Sequence, residues 1–102
     1  LQVDEATGLA LLQVDAGKEA LPAVVLGAER PTPGQSVVVL ARPEGRDMLA
    51  FAGVASPALA AVPLRGKLQA AADLFLTDSR NDERCDGAPV FAPDGSLLGL
   101  YA

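Results

Sequence analysis

The stretch PTPGQSVVVLARPEG, residues 31 to 45, constrains the fold most strongly. It places three consecutive valines within Ser36–Ala41, between two clusters rich in proline and glycine. Branched side chains favour strands and are restricted in helices, while proline and glycine end a regular element. The sequence therefore predicts a short β-strand over Ser36–Ala41.

Similar short apolar runs, each bounded by turn residues, occur along most of the chain. The final pair is joined by Pro93-Asp94-Gly95, which carries the Asp-Gly signature of a hairpin turn. The regular spacing of these runs indicates an all-β barrel or sandwich. The further predicted strands or apolar runs are 9–14, 23–26, 47–55 with a bulge or bend at Gly53, 74–77, and the hairpin of 88–92 and 96–101.

Residues 56 to 72 do not fit this pattern. They are rich in alanine, which favours helix, but Pro57, Pro63 and Gly66 interrupt them. We predict an irregular connection with one helical turn near 68–72.

Length and charge restrict the function classes. The 102 residues fit one domain, and 50% of them are hydrophobic. The net charge is −5 without a cluster of Lys or Arg, so nucleic acid and anionic membrane surfaces are not expected partners. The apolar runs are far shorter than the roughly 20 residues of a membrane helix. No secretory signal is recognisable, and the start at Leu1 indicates an excised or processed segment, so the compartment stays open.

The content of reactive residues is low. Cys85 is the single cysteine and histidine is absent. An internal disulfide is therefore impossible, and neither a zinc site nor another cofactor is expected. Histidine is the most frequent general base near neutral pH. Any Ser-His or Cys-His chemistry would need its base from outside this chain.

Four collinear motifs resemble one known family. Residues 4–14 follow D-x-x-T-D-L-A-V-L-K-V, residues 21–27 follow L-P-x-x-x-L-G, and residues 33–45 follow P-G-x-x-V-x-x-x-G-x-P-x-G. Residues 77–99 align without a gap on T-D-A-x-x-N-x-G-N-S-G-G-P-L-x-x-x-x-G-x-x-x-G. In this order they resemble the bacterial-type HtrA/Deg-like branch of the trypsin-like serine peptidases.

The resemblance implies about half of a fold made of two six-stranded antiparallel β-barrels. Residues 1–20 resemble the last strand of the first barrel, and residues 36–102 resemble the second barrel, all within one domain, 1–102. The last strand of the second barrel has no counterpart, which leaves an open edge that invites pairing. We expect residues 9–14, a partner chain or a second copy to cover that edge.

The family's catalytic positions fall on altered residues. The position of its aspartate is Gly8, and the position of its nucleophile is Asp86. Arg84 and Gly87 correspond to the oxyanion loop, and Arg80 to the floor of the specificity pocket. A triad needs an aspartate, a histidine and a nucleophilic hydroxyl, so the resemblance predicts a catalytically inactive domain with a binding, scaffolding or regulatory role.

Several alternatives remain open at this point. A shift of one residue would make Cys85 the nucleophile of an active serine- or cysteine-type endopeptidase, with histidine supplied from outside. Arg80 also fits a solvated charge in the mixed-charge loop DSRNDER, and Asp78 fits a structural hydrogen bond at the start of that loop. Without the family, the chain reads as a small β-module that binds a peptide along an open strand edge. A protein or peptide partner is expected in each binding role, and the family allows a periplasmic or exported location.

Overall fold

The structure is a computed structural model, which describes residues 2–5, 8–27, 30–42, 47–58, 62–64, 67–69, 75–78 and 86–101. All regular elements within these ranges are strands, so the predicted all-β class is confirmed for the described residues. The strands are β1 (Gln2–Asp4), β2 (Leu9–Leu11), β3 (Ser36–Ala41), β4 (Leu49–Pro57), β5 (Val62–Leu64), β6 (Lys67–Gln69), β7 (Phe75–Thr77), β8 (Pro89–Phe91) and β9 (Leu97–Leu100).

The main element is a five-stranded sheet with the order β7-β4-β3-β8-β9. Its neighbouring strands are all antiparallel. The valine-rich strand β3 has the bounds that the sequence predicts, and it lies at the centre of the sheet. Two separate pairs, β1 with β2 and β5 with β6, form two-stranded sheets.

One face of the five-stranded sheet carries the core. Strand β3 alternates between buried and half-buried side chains, as a pleated strand with one packed face should. Val39 is fully buried and lies level with Phe51 on β4 and with Val90 on β8. The cluster is small, consisting of Val37, Val39, Ala41, Ala55, Ala88 and Val90, with Phe51, Leu98 and Tyr101 packed against it.

The opposite face, here called the outer face, is also apolar. Because successive side chains point to opposite sides, the strand registers assign its members. Val54 and Leu100 on this face are 41% and 46% exposed. The described members of the outer face are Ser36, Val38, Leu40, Arg42, Met48, Ala50, Ala52, Val54, Ser56, Pro89, Phe91, Leu97 and Leu100.

Asp78 ends the ladder between β4 and β7. Its Oδ1 accepts a hydrogen bond from the Val54 amide at 2.7 Å, and its own amide donates to the Val54 carbonyl at 3.4 Å. The amide and the carbonyl of Val54 are thereby both hydrogen-bonded to Asp78. The structural hydrogen bond predicted for Asp78 is confirmed.

Of the two alternatives predicted at Gly53, a bulge or a bend, the bulge is wrong. Gly53 pairs with Val37 within an unbroken register that runs along the whole of β3, so no residue of β4 is left over there. The register shift lies instead between Val90 and Phe91, where Leu98 is the extra residue on β9. Leu98 packs against the core, which gives the irregular position an apolar contact.

The irregular connection predicted over 56–72, with a helical turn near 68–72, is wrong for the residues that the structure describes, because β4 extends to Pro57 and two strands follow it. Lys67–Gln69 is a strand that pairs with Val62–Leu64. Pro63 within the partner strand removes a helical hydrogen-bond donor, which outweighs the helical propensity of alanine. Residues 70–72 lie outside the described residues, as does residue 74 of the predicted strand 74–77.

The expectation that residues 9–14 cover an edge of the main sheet is also wrong. Their regular part, Leu9–Leu11, pairs with Gln2–Asp4. The segment around Leu26 reaches that edge instead, through a parallel bridge to Leu97. Leu97 donates to the Val25 carbonyl and accepts from the Gly27 amide, both at 2.8 Å, so the apolar run 23–26 supplies a bridge and no full strand.

Candidate functional site

The hairpin of β8 and β9 is held rigidly at its turn. The Gly95 amide donates to the Ala92 carbonyl at 2.9 Å, and the Ala92 amide donates to the Ser96 carbonyl at 2.9 Å. Gly95 has a φ of 88°, which is the left-handed region that glycine tolerates. This confirms the predicted hairpin, as a three-residue loop with glycine at its last position.

Asp94 stabilises the same turn. Its Oδ1 accepts from the Ser96 amide at 2.9 Å and from the Ser96 hydroxyl at 2.7 Å. These hydrogen bonds, the backbone one foremost, lower the pKa of the Asp94 carboxyl because they favour its charged form.

The opposite end of the hairpin positions Asp86. The Tyr101 amide donates to the Ala88 carbonyl at 2.8 Å, and the Gly87 amide donates to the Tyr101 carbonyl at 2.7 Å. Gly87 has a φ of 84° in the turn directly before β8. Asp86 is exposed in the same turn, and it directly precedes Gly87, whose amide is bonded to Tyr101.

A depression opens beside this turn, at one end of the outer face. Its volume is about 460 Å³. Apolar side chains of β3, β8 and the residue before β4 form most of the lining, as is usual for ligand sites. The lining residues are Leu40, Ala41, Arg42, Met48, Asp86, Gly87, Ala88, Pro89 and Phe91.

Arg42 and Asp86 are the charged residues of this lining, and both are exposed. Continuing the register of β3 and β8 places Arg42 level with Gly87, directly next to Asp86 in the chain. Within the described part of the chain, no hydrogen bond links either side chain to another residue. The depression thus combines an apolar floor with one cation and one anion, an arrangement suited to binding an amphipathic partner.

The predicted site residues are only partly brought together. Asp86 and Gly87 line the depression, whereas Gly8 lies in the turn between β1 and β2, where its amide donates to the Asp4 carbonyl at 2.8 Å. Gly8 does not line the depression. Arg80, Arg84 and Cys85 lie outside the described residues.

Sequence reasoning missed Arg42 and Met48. Arg42 follows Val38 and Leu40 at a spacing of two, so its position on the outer face could have been read from the pattern of β3. Met48 joins the site only through the pairing of β4 with β3, which no local pattern reveals. Among the described residues, no group of three or more His, Cys, Asp or Glu side chains could hold a metal ion.

Within the same ranges, no helix is long and apolar enough to cross a membrane. Comparison with protein-family models, curated proteins and solved structures gives no match to this chain.

Proposed function

We propose that this chain is a catalytically inactive, trypsin-like pseudo-peptidase domain of the HtrA/Deg-like type, with a binding, scaffolding or regulatory role. The observation that carries the proposal is the apolar depression next to Asp86, the residue at the family's nucleophile position. The described lining offers a surface for a partner and includes no serine, cysteine or histidine.

The chemistry of the turn supports an inactive domain. A carboxylate is a much weaker base than an alkoxide, since its conjugate acid has a pKa near 4. A negative charge on Asp86 would oppose the oxyanion that forms during peptide hydrolysis. The Gly87 amide is bonded to the Tyr101 carbonyl at 2.7 Å and is therefore occupied within the hairpin. The sequence contains no histidine to act as base.

The finer fold is part of the same proposal. Residues 36–102 would form a partial six-stranded antiparallel barrel, and residues 1–20 would correspond to the last strand of a preceding barrel. Three small residues of the core support a tightly curved sheet, since Ala41 on β3, Ala55 on β4 and Ala88 directly before β8 allow close approach. In this arrangement Gly8 and Asp86 are the degenerate catalytic positions, Arg84 and Gly87 the oxyanion loop, and Arg80 the pocket floor.

The partner that fits the depression is a protein or peptide segment with apolar side chains. Leu40, Met48, Pro89 and Phe91 would contact those side chains. Titration of ¹⁵N-labelled protein with peptides from unfolded casein tests this directly. We expect amide shifts at Gly87, Ala88 and Phe91, and unchanged signals in the distant turn at Gly95. Shifts confined to residues outside the depression would contradict the proposal.

The same sample tests for hidden catalysis. A fluorophosphonate probe should leave the mass of the protein unchanged, and a Cys85→Ala variant should behave like the parent chain. Labelling of a serine or threonine by the probe would establish an active peptidase, and casein turnover that is lost in Cys85→Ala would identify the cysteine as nucleophile.

A second candidate function is peptide binding along the edge of β9. The segment 25–27 hydrogen-bonds to β9 at Leu97, and Leu100 further along the strand is 46% exposed. A peptide could add a strand there through main-chain hydrogen bonds. In the same titration, this mode would shift the amide of Leu100 and leave Phe91, which faces β3, unaffected.

A further inference from the structure

The outer face is unusually apolar for a sheet surface. Antiparallel sheets commonly place polar residues on a solvated side, but among the described members of this face only Arg42 is charged. Val54 is 41%, Leu100 46% and Met48 60% exposed. Contiguous apolar patches of this kind usually mark an interaction surface.

We propose that two copies of this chain pack outer face against outer face, as a two-sheet sandwich. The two-fold axis runs along the strands, between β3 and β8. It places β3 over β8 of the second copy, and β4 over β9 of the second copy, because β3 and β8 are neighbours in the order β7-β4-β3-β8-β9. Sheets in such sandwiches lie about 10 Å apart and cross at about 30°.

Charge complementarity indicates that a second copy of the chain covers the outer face. Arg42 extends from the end of β3 and Asp86 precedes β8, at the same end of the face. An axis between these two strands brings Arg42 of each copy opposite Asp86 of the other. Such a symmetric interface repeats every contact twice, so two Arg–Asp pairs close one end of an otherwise apolar contact.

The size of the face indicates a weak dimer. Strands β3, β4, β8 and β9 have six, nine, three and four residues. At about 3.3 Å per residue and about 4.8 Å per strand, they give a flat footprint of about 350 Å². Stable complexes bury about 800 Å² per partner. We therefore expect a dissociation constant in the micromolar range. Dimerisation is measured without any peptide or peptidase substrate, so it is tested separately from the proposed function. Because the dimer covers the depression, a bound peptide should compete with the second copy.

Sedimentation equilibrium of the full chain between about 1 and 500 μM tests the proposal. We expect a reversible monomer–dimer equilibrium. Ala52→Asp places a charge on an exposed position of the outer face and should abolish the dimer. The matched control is Leu12→Asp, on the N-terminal segment, where the leucine is 68% exposed; it should leave the dimer unchanged.

Charge reversal tests the orientation of the two copies. Arg42→Asp and Asp86→Arg should each weaken the dimer about tenfold, because each creates two like-charge pairs. The dissociation constant of the double variant should return to within about threefold of that of the parent chain. Both positions are exposed, and circular dichroism checks that each variant is folded. A chain that stays monomeric at every concentration, an Ala52→Asp variant that still dimerises, or a double variant as weak as the single ones would each overturn the proposal.

Discussion

Truncation of Val39 to alanine tests which face of the central sheet forms the core. Val39 is fully buried at the centre of β3, level with Phe51 and Val90. Its neighbour Val38 points to the outer face and is half-buried. The two valines share one strand, so loss of strand propensity cancels between them and the difference reports packing alone.

The structure sets the expected magnitude. Val→Ala removes two methyl groups, worth about 1.6 kcal/mol of transfer free energy when fully buried. A residual cavity behind Val39 adds up to about 1 kcal/mol. Val39→Ala should therefore lower the free energy of unfolding by about 2 to 2.5 kcal/mol. Val38→Ala should lower it by less than about 1 kcal/mol, because solvent already reaches the side chain and no closed cavity forms.

Urea unfolding followed by circular dichroism measures both variants. The midpoints are compared at several protein concentrations, because only a contribution from self-association depends on concentration. With a urea slope of about 1 to 3 kcal/mol per molar, Val39→Ala should move the midpoint clearly further than Val38→Ala. Equal losses for the two variants, or a larger loss for Val38→Ala, would refute the assignment of the core face.

Three further predictions concern the turns and the end of the ladder. Asp78→Ala should lower the free energy of unfolding by about 1 kcal/mol in urea titrations, because the Val54 amide loses its acceptor. Asp78→Asn keeps an acceptor oxygen, so an equally large loss in that variant would contradict this explanation. Gly87→Ala should lower the free energy of unfolding by about 1 to 2 kcal/mol in the same assay, since alanine is strained at a φ of 84°. An unchanged urea midpoint would show that residue 87 does not have this left-handed conformation. The lowered pKa of Asp94 means that its stabilising effect is complete above the carboxyl's ordinary pKa and is lost as the pH falls through the lowered value. Thermal unfolding should thus separate the parent from Asp94→Ala at pH 7 and bring them together at strongly acidic pH, whereas a constant difference would argue against a role of the charge.

Local patterns predicted the elements in which a single mechanism dominates. The valine run of β3 and the Asp-Gly turn of the hairpin were confirmed because side-chain branching and turn geometry act within a few residues. The alanine-rich part of the chain was predicted less well. There helical propensity competes with Pro63, and pairing with a neighbouring strand decides the outcome for Lys67–Gln69.

The candidate site could likewise be predicted from the sequence only in part. Asp86 and Gly87 could be singled out from the sequence, because residues 77–99 align on the nucleophile loop of the family that the chain resembles. The depression itself depends on the pairing of β3 with β4 and β8, which brings Leu40 and Met48 beside Asp86 and Phe91 from a distant part of the chain. Sequence reasoning also missed the apolar outer face. Strands β3 and β4 are apolar on both sides, a pattern typical of strands that are covered on both faces, and that signal was present in the runs SVVVLA and LAFAGVASP.

The most direct test of the central claim is a quantitative peptidase assay. The chain, its Asp86→Asn variant and its Cys85→Ala variant are incubated with fluorescently labelled casein over many hours. The account predicts release of fluorescence at the rate of the buffer control in all three samples. The chain has no histidine to act as base, and the carboxylate of Asp86 is a poor nucleophile for peptide hydrolysis. Turnover by the parent chain that disappears in either variant would contradict it.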